Sequence, residues 1–369
     1  MRVRDVQRIL DTWAPPDLAW ERDNVGLQVG DPESTVRGIL VALDITDAVV
    51  SEARRRGATV IVSHHPLFYR PLRSLTTRRP TERTVLALAR HGIAAIAAHT
   101  NLDFTEGGTS HALASRLGVV HQEFLRKPYR SHAKIVTFVP EAKVQAVADA
   151  LSAAGAGTIG DYAGCSFRTE GVGTFTGGKN TAPAVGTKGV AERVPEVRLE
   201  MIVPRRSLHE ALEAMLLVHP YEEPAYDVYH LENADASAGM GVIGSLAGPV
   251  PLSRFLTRIR KRLGTKALRY TGNLRERVTR VAVCGGGGGE LLEDAIRAGA
   301  EVFVTADCGY HLFHDAAGRI ALVDAGHYET EVPVVGAIVD RFRKEMRSRG
   351  EKIAVRAATA AINPVAQSV

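Results

Sequence analysis

The run Thr59-Val60-Ile61-Val62-Ser63 stops on His64-His65-Pro66, and this ending constrains the fold more than any other stretch of the chain. A β-branched apolar run of this length predicts a buried strand. Pro66 cannot donate to a sheet ladder, so the strand must end there and leave both histidines at its carboxyl end. In open α/β sheets that end is where ligands bind, and neutral imidazole is the commonest side-chain metal ligand. Neighbouring side chains alternate in direction, so the pair can reach two different ions beyond the strand. Taken alone, the tripeptide fits an exposed loop as well.

The flanking segments decide between these readings. Val3 to Trp13 has helical spacing and stops at Pro15-Pro16. Gly38 to Asp44 reads as a strand ending on an acid, and Thr46 to Arg56 as a helix with Thr46 as N-cap and Gly57 as its stop. Thr81 to His91 is a further helix, stopped by Gly92. Ile93 to Ala98 is a strand running into His99-Thr100-Asn101-Leu102-Asp103. Strand and helix alternate, which predicts an α/β fold of mostly parallel sheets flanked by helices.

The style changes near residue 125. Ala133–Val139 reads as a strand and Glu141–Ala154 as a helix; Gly155–Gly189 is polar and glycine-rich. A strand (Val197–Val203), a helix (206–219) and a strand around Ala225–Tyr229 follow. This predicts an inserted ferredoxin-like α+β domain. The expected division is a discontinuous core, residues 1–127 and 236–369, around an insert at 128–235. Within the insert, Tyr221-Glu222-Glu223 after His219-Pro220 reads as a loop or an oligomer contact.

From Gly244 the first style returns. Val278–Cys284 is a strand feeding five glycines, Gly285 to Gly289, and Glu290–Ala298 a helix. Glu301–Thr305 leads to Asp307, with His311 and His314 on a following helix. Ile320–Val323 ends in Asp324-Ala325-Gly326-His327-Tyr328-Glu329-Thr330-Glu331, and Val332–Arg347 is a helix with Pro333 in its first turn. A short strand and a loose end are expected from Ala357. The glycine run fits close backbone approach to the ligand edge or a phosphate held on helix amides; no P-loop or dinucleotide motif accompanies it.

Three strand ends therefore deliver ligand-type residues: His64-His65, His99 with Asp103, and His327 with Glu331. In a parallel sheet such ends share one edge. His with carboxylate suits zinc, manganese or iron. The number of groups exceeds what one catalytic zinc needs and matches a carboxylate-bridged pair of ions, roughly 3.5–4 Å apart in two-metal hydrolases. Composition supports an ordinary globular protein without a membrane span or signal peptide. Its three cysteines, Cys165, Cys284 and Cys308, are odd in number and widely spaced, which points to a reducing cytoplasm; Cys284 reads as core. The net charge of +5 is spread along mixed-sign helices, so nucleic-acid binding is not indicated.

These residues resemble the dinuclear metal-centre family known as GTP cyclohydrolase I type 2-like. The resemblance runs through Asp23-Asn24-Val25-Gly26-Leu27, Ser63-His64-His65-Pro66, His99-Thr100-Asn101-Leu102-Asp103, Thr305-Ala306-Asp307 with Tyr310-His311, and Asp324 to Glu331. It implies metal ligands at His64, His65, Asp103, His327 and Glu331, with Glu331 bridging and His99 a further ligand or close neighbour. Two divalent ions per chain are implied, zinc first, with iron or manganese as alternatives. Also implied are a homohexameric ring with metal sites facing its cavity, and a PII- or CutA-like insert. Ala306 departs from the family's usual glycine. The function expected from the resemblance is a metal-dependent hydrolase in which activated water opens the imidazole ring of GTP. His99, Asp307 or His311 would move the protons. The alternatives are a metal-binding regulatory ring with a small-molecule-sensing insert, and a metal-dependent nucleotide or phosphoester hydrolase.

Overall fold

The computed structural model describes residues 1–128, 131–233, 237–360 and 363–366. The chain forms two units, one of Met1–Arg126 with Ser237–Val369, the other Lys127–Ala236. The expected junction at 235 and 236 lies outside the described residues. Among the described residues no helix is long and apolar enough to cross a membrane.

The first sheet of the larger unit has the strand order Gly26–Val29, Ala94–Ala97, Val60–Ser63, Gly38–Ala42, Ala354–Ala357, parallel except for the Gly26–Val29 edge. Its central strands are buried on both faces, which is why they read as unbroken apolar runs. Ile39, Val41, Val60, Val62 and Ile96 pack with the helices Val3–Trp13 and Pro333–Ser348, while Leu40, Ala42, Ile61 and Ala95 pack with Asp47–Arg55 and Pro80–His91. Thr46 caps Asp47–Arg55 through Val49 N–H, and Gly92 ends Pro80–His91 in the left-handed conformation. In register, Ala42 lies opposite Ser63 and Ser63 opposite Ala97. Asp44, His65 and His99 therefore each stand two residues beyond one common line.

The second sheet has the order Arg269–Tyr270, Ala321–Asp324, Val302–Ala306, Arg277–Gly287, Met240–Pro251, Val120–Arg126. Only its three middle pairing strands are parallel; both edges are antiparallel. Helices Thr109–Leu117 and Leu252–Leu263 cover one face, and Leu292–Arg297 and Tyr310–Ala316 the other. Phe255, Phe303 and Phe342 are fully buried across the two sheets, each contributing about 1.5–3 kcal/mol by leaving water. Cys284 is buried core, and all three cysteines are free.

Several elements differ from the sequence reading. The strand Met240–Pro251 has no counterpart in the sequence reading. Its glycines hid it: a Cβ at Gly244 would come 2.6 Å from the Val120 carbonyl oxygen, so the glycine serves close strand approach. Glu290–Ala298 is a 3-10 turn, Gly289–Leu291, followed by the shorter helix Leu292–Arg297. The last strand, Ala354–Ala357, ends where one was expected to begin.

In the smaller unit the chain order is β-α-β-β-α-β. Its antiparallel sheet has the order Phe167–Thr176, Ala191–Pro204, His132–Val139, Tyr226–Leu231. Ile135, Leu199, Met201 and Val203 pack with the helices Val144–Ala153 and Leu208–Val218. Phe167–Thr176 falls in the segment read only as polar and glycine-rich. Two glycines and a mostly exposed surface gave no strand signal, and the ladder to Ala191–Pro204 holds it instead.

Candidate metal centre

Each strand end contributes through its register. His64 is fully buried; its Nδ1 lies 2.9 Å from the Ala98 carbonyl oxygen, which orients the ring and leaves Nε2 facing Asp103 Oδ1 at 3.6 Å and Glu331 Oε1 at 3.8 Å. His65 is held by Asp44, Nδ1 to Oδ1 2.8 Å, and its Nε2 stands 2.8 Å from Glu331 Oε2. His99 Nδ1 lies 2.9 Å from both oxygens of Asp23, whose carboxylate also accepts from the Thr100 amide and hydroxyl. A carbonyl or carboxylate behind each imidazole is the usual support of a metal-binding histidine.

The second sheet brings the remaining groups. The single helical turn His327–Glu331 puts its first and last residues on one face, with His327 Nε2 3.1 Å from Glu331 Oε2. Asp324 is buried and fixes this turn: it accepts from the Gly326 and Cys308 amides and pairs with Arg269. Asp307 has a positive φ of 55° and holds His327 Nδ1 at 2.6 Å. The Ala306 side chain is accommodated, since that residue completes a fully buried strand.

The ligand atoms of His64, His65 and His99 all lie within 4.8 Å of one another, as do those of His65, His327 and Glu331. Asp103 joins through His64. His64 Nε2 and Asp103 Oδ1 are buried without a hydrogen-bond partner. Glu331 Oε2 sits close to two imidazole nitrogens without hydrogen-bond geometry to either. Donor atoms that converge and remain unpaired are what a cation would satisfy, and the nitrogen and oxygen donor set suits a borderline divalent ion. The residues fit a metal.

The electrostatics agree. Burial would raise the Glu331 carboxyl, but the imidazoles of His327, His64 and His65 hold it well below the usual carboxylate range. Burial opposes charging of His65, yet Asp44 and Glu331 push it up to about 10. Glu331 first, and Asp307 after it, raise His327 to about 9 against burial. Protons thus sit on nitrogens that a cation would need, so metal loading must release them.

The glycine run serves this edge as backbone. A Cβ at Gly286 would lie 2.2 Å from Glu331 Oε1. The Gly285, Gly286 and Gly288 amides are spent on the hydroxyls of Ser110, Thr330 and Thr305, which leaves them unavailable to a phosphate. His311 is exposed on the helix Tyr310–Ala316 with its ring against Tyr310, and among the described residues it joins neither histidine cluster. Asp23 and Asp44 were not named as site residues from sequence. The signal for Asp44 was its position, two residues past the same line as His65 on the adjacent parallel strand. A cavity of about 340 Å³ opens beside His327, walled by Arg269, Asp307, Tyr328, Glu329 and Asn363.

Comparison with known proteins extends over the whole chain. The family model described as Duf34/NIF3 (NGG1p interacting factor 3) matches residues 1–364. A Halalkalibacterium halodurans protein named GTP cyclohydrolase 1 type 2 homolog is 37% identical over 346 residues, covering 93% of each chain. A Mycobacterium tuberculosis protein of the same name is 38% identical over 371 residues, covering 99% of this chain and 96% of the relative. Among solved structures, a Bacillus cereus protein related to NIF3 superposes with a TM-score of 0.82 at 35% identity, covering 100% of this chain and 99% of that one. A Staphylococcus aureus protein gives 0.81 at 29%, with the same coverage. With residues 1–364 matched by the family model, and relatives at 35–38% identity covering nearly all of it, the chain belongs to the Duf34/NIF3 family.

Proposed function

We propose that this protein is a dinuclear metal-dependent hydrolase, and that His64, His65, Asp103, His327 and Glu331 hold its ions. The observation that carries the reading is Glu331: buried, kept ionised, with one oxygen toward His64 and the other toward His65 and His327. A carboxylate so placed suits a bridge, His64 and Asp103 on one side, His65 and His327 on the other. Zinc is the first choice for this donor set, with iron or manganese as alternatives. When bound, two such ions acidify a water and polarise the bond under attack.

The chain's own share is orientation and proton transfer. Asp23 holds His99 by Nδ1, which leaves Nε2 at the cluster to take and return a proton. Asp307 fixes the His327 ring, which makes it a positioning residue in this reading, and His311, exposed and outside the cluster, drops out of the proton path. The relatives' name points to GTP. With that substrate, water would add at C8 of the base, the C8–N9 or C8–N7 bond would open to a formamide, and His99 Nε2 would protonate the departing nitrogen. Assembly as a ring of six and a PII- or CutA-like character of the insert belong to the same reading and rest on the resemblance, while residence in the cytoplasm rests on the odd, widely spaced cysteines.

The test is metal content per chain by elemental mass spectrometry, with GTP turnover assayed on the same sample. About two ions and a formamido product are expected. Two ions without turnover would remove GTP as substrate and favour the regulatory reading. Absence of bound metal after reconstitution would overturn the site.

A further inference from the structure

We propose that the inserted domain carries a binding site for a small organic cation, an amine on a compact apolar body, in the cavity beside Tyr221. That cavity measures about 270 Å³ and is walled by Phe175, Pro183 and Val185 together with Glu196, Tyr221 and Glu223. Its size suits a metabolite near the lower end of the usual range of ligand pockets.

The polar wall is built up from the sheet. Glu196 pairs with Gly171, and its carboxylate reaches along the ladder to Gly173, where a Cβ would come 2.1 Å from Glu196 Oε2, so the glycine leaves room for it. Its other oxygen accepts from the Tyr221 hydroxyl at 2.6 Å. Tyr221 is placed in turn by the buried His219. The Tyr221 amide donates to His219 Nδ1 at 3.2 Å, and His219 Nε2 donates to the Phe138 carbonyl oxygen at 3.2 Å. Glu222 accepts from the Ala182 amide at 2.7 Å and so ties the 178–185 loop over the cavity.

The sign of the ligand follows from what faces these acids. Glu196, Glu222 and Glu223 meet a hydroxyl, an amide and solvent, and none forms an ion pair among the described residues, although the chain as a whole carries +5. A concave, partly apolar surface concentrates the field of such uncompensated charge. An anion would meet three carboxylates and, among the described residues that wall the cavity, no lysine or arginine. A neutral apolar molecule would desolvate the acids without a partner. An ammonium satisfies them, while the faces of Phe175 and Tyr221 suit its charge and its apolar body.

Three probes with one indole body separate these cases: tryptamine (cation), tryptophol (neutral) and indole-3-acetate (anion). Each is titrated into the full-length chain by calorimetry. Tryptamine should saturate and bind at least about tenfold more tightly than tryptophol, with indole-3-acetate weakest. Glu223→Gln should weaken tryptamine about tenfold and leave tryptophol unchanged. Gly173→Ala, which displaces Glu196, should act in the same direction. Equal affinity for the three probes, no saturation by tryptamine, or unchanged binding in Glu223→Gln would overturn the proposal. Metal content plays no part in the readout, so this result and that of the hydrolase test stand apart.

Discussion

The histidine cluster of the core and the cavity of the insert are both lined by carboxylates, and they differ in what those carboxylates face. Around Glu331 the neighbours are imidazole nitrogens, each held from behind by Asp44, Asp307 or a backbone carbonyl, and several donor atoms are left without partners. Around Glu196 the neighbour is a phenol, the Tyr221 hydroxyl, which His219 places through the Tyr221 amide. The first arrangement suits direct coordination of an ion. The second offers a charged, half-apolar hollow. Carboxylates alone therefore do not identify a ligand; the groups that support and oppose them do.

The strongest way to break this contrast is to remove the core's central acid. Glu331→Ala should reduce bound metal from about two ions per chain to one or none, and His64→Ala should lose about one, measured by elemental analysis after reconstitution. Neither substitution should alter tryptamine binding by the insert. Full occupancy in both variants would show that the converging donors are an internal polar network and would erase the distinction.

A smaller effect is expected from Gly286→Ala. The added methyl would lie 2.2 Å from Glu331 Oε1 at a residue whose φ is +66°, so both the carboxylate and the backbone must shift. Metal affinity should fall roughly 10–100-fold, as for lost support of a ligand, with a stability cost on the order of 1 kcal/mol for the left-handed alanine. Competition against a fluorescent chelator reads the first quantity and urea unfolding the second. Unchanged affinity would mean that the glycine run serves the strand alone.

How far the site was legible from sequence depended on where its information lay. His64-His65, His99 and Asp103, and His327 and Glu331 could be found because each follows an apolar run. The first two groups share the edge of one parallel sheet, whereas the last comes from a strand of the second sheet, so the expectation of a single shared edge holds only for part of the set. Asp44 and Asp23 were harder to assign because their roles depend on inter-strand register and on a loop returning to His99. The Gly286–Glu331 approach is a tertiary distance with no local trace. Similarly, Gly244 and Gly173 hid two long strands, because glycine lowers strand propensity at the very positions where another group needs the space of a side chain.

The mildest test uses one residue type in both regions. Burial lowers the pKa of His219, whose two nitrogens are committed to the Phe138 carbonyl and the Tyr221 amide, so its folded form is neutral. As pH falls through the unfolded value near 6.5, the unfolded chain takes a proton that the folded insert refuses, and stability is lost at up to about 1.4 kcal/mol per pH unit until the folded pKa is reached. In the core the sign reverses. In the metal-free chain, His65 and His327 are raised to about 10 and about 9, so their contribution is complete below about 6.5 and is lost as pH rises through those values. Native-state hydrogen exchange, corrected for intrinsic rates, should therefore show the insert strand His132–Val139 less protected at pH 5.5 than at 7.5. In the chelator-treated protein the core strand Val60–Ser63 should not share that loss. His219→Asn should flatten the insert's pH dependence whatever its absolute stability. A parallel decline of both strands would mean that the two regions unfold as one unit, and that the opposed histidine environments do not set their separate responses to acid.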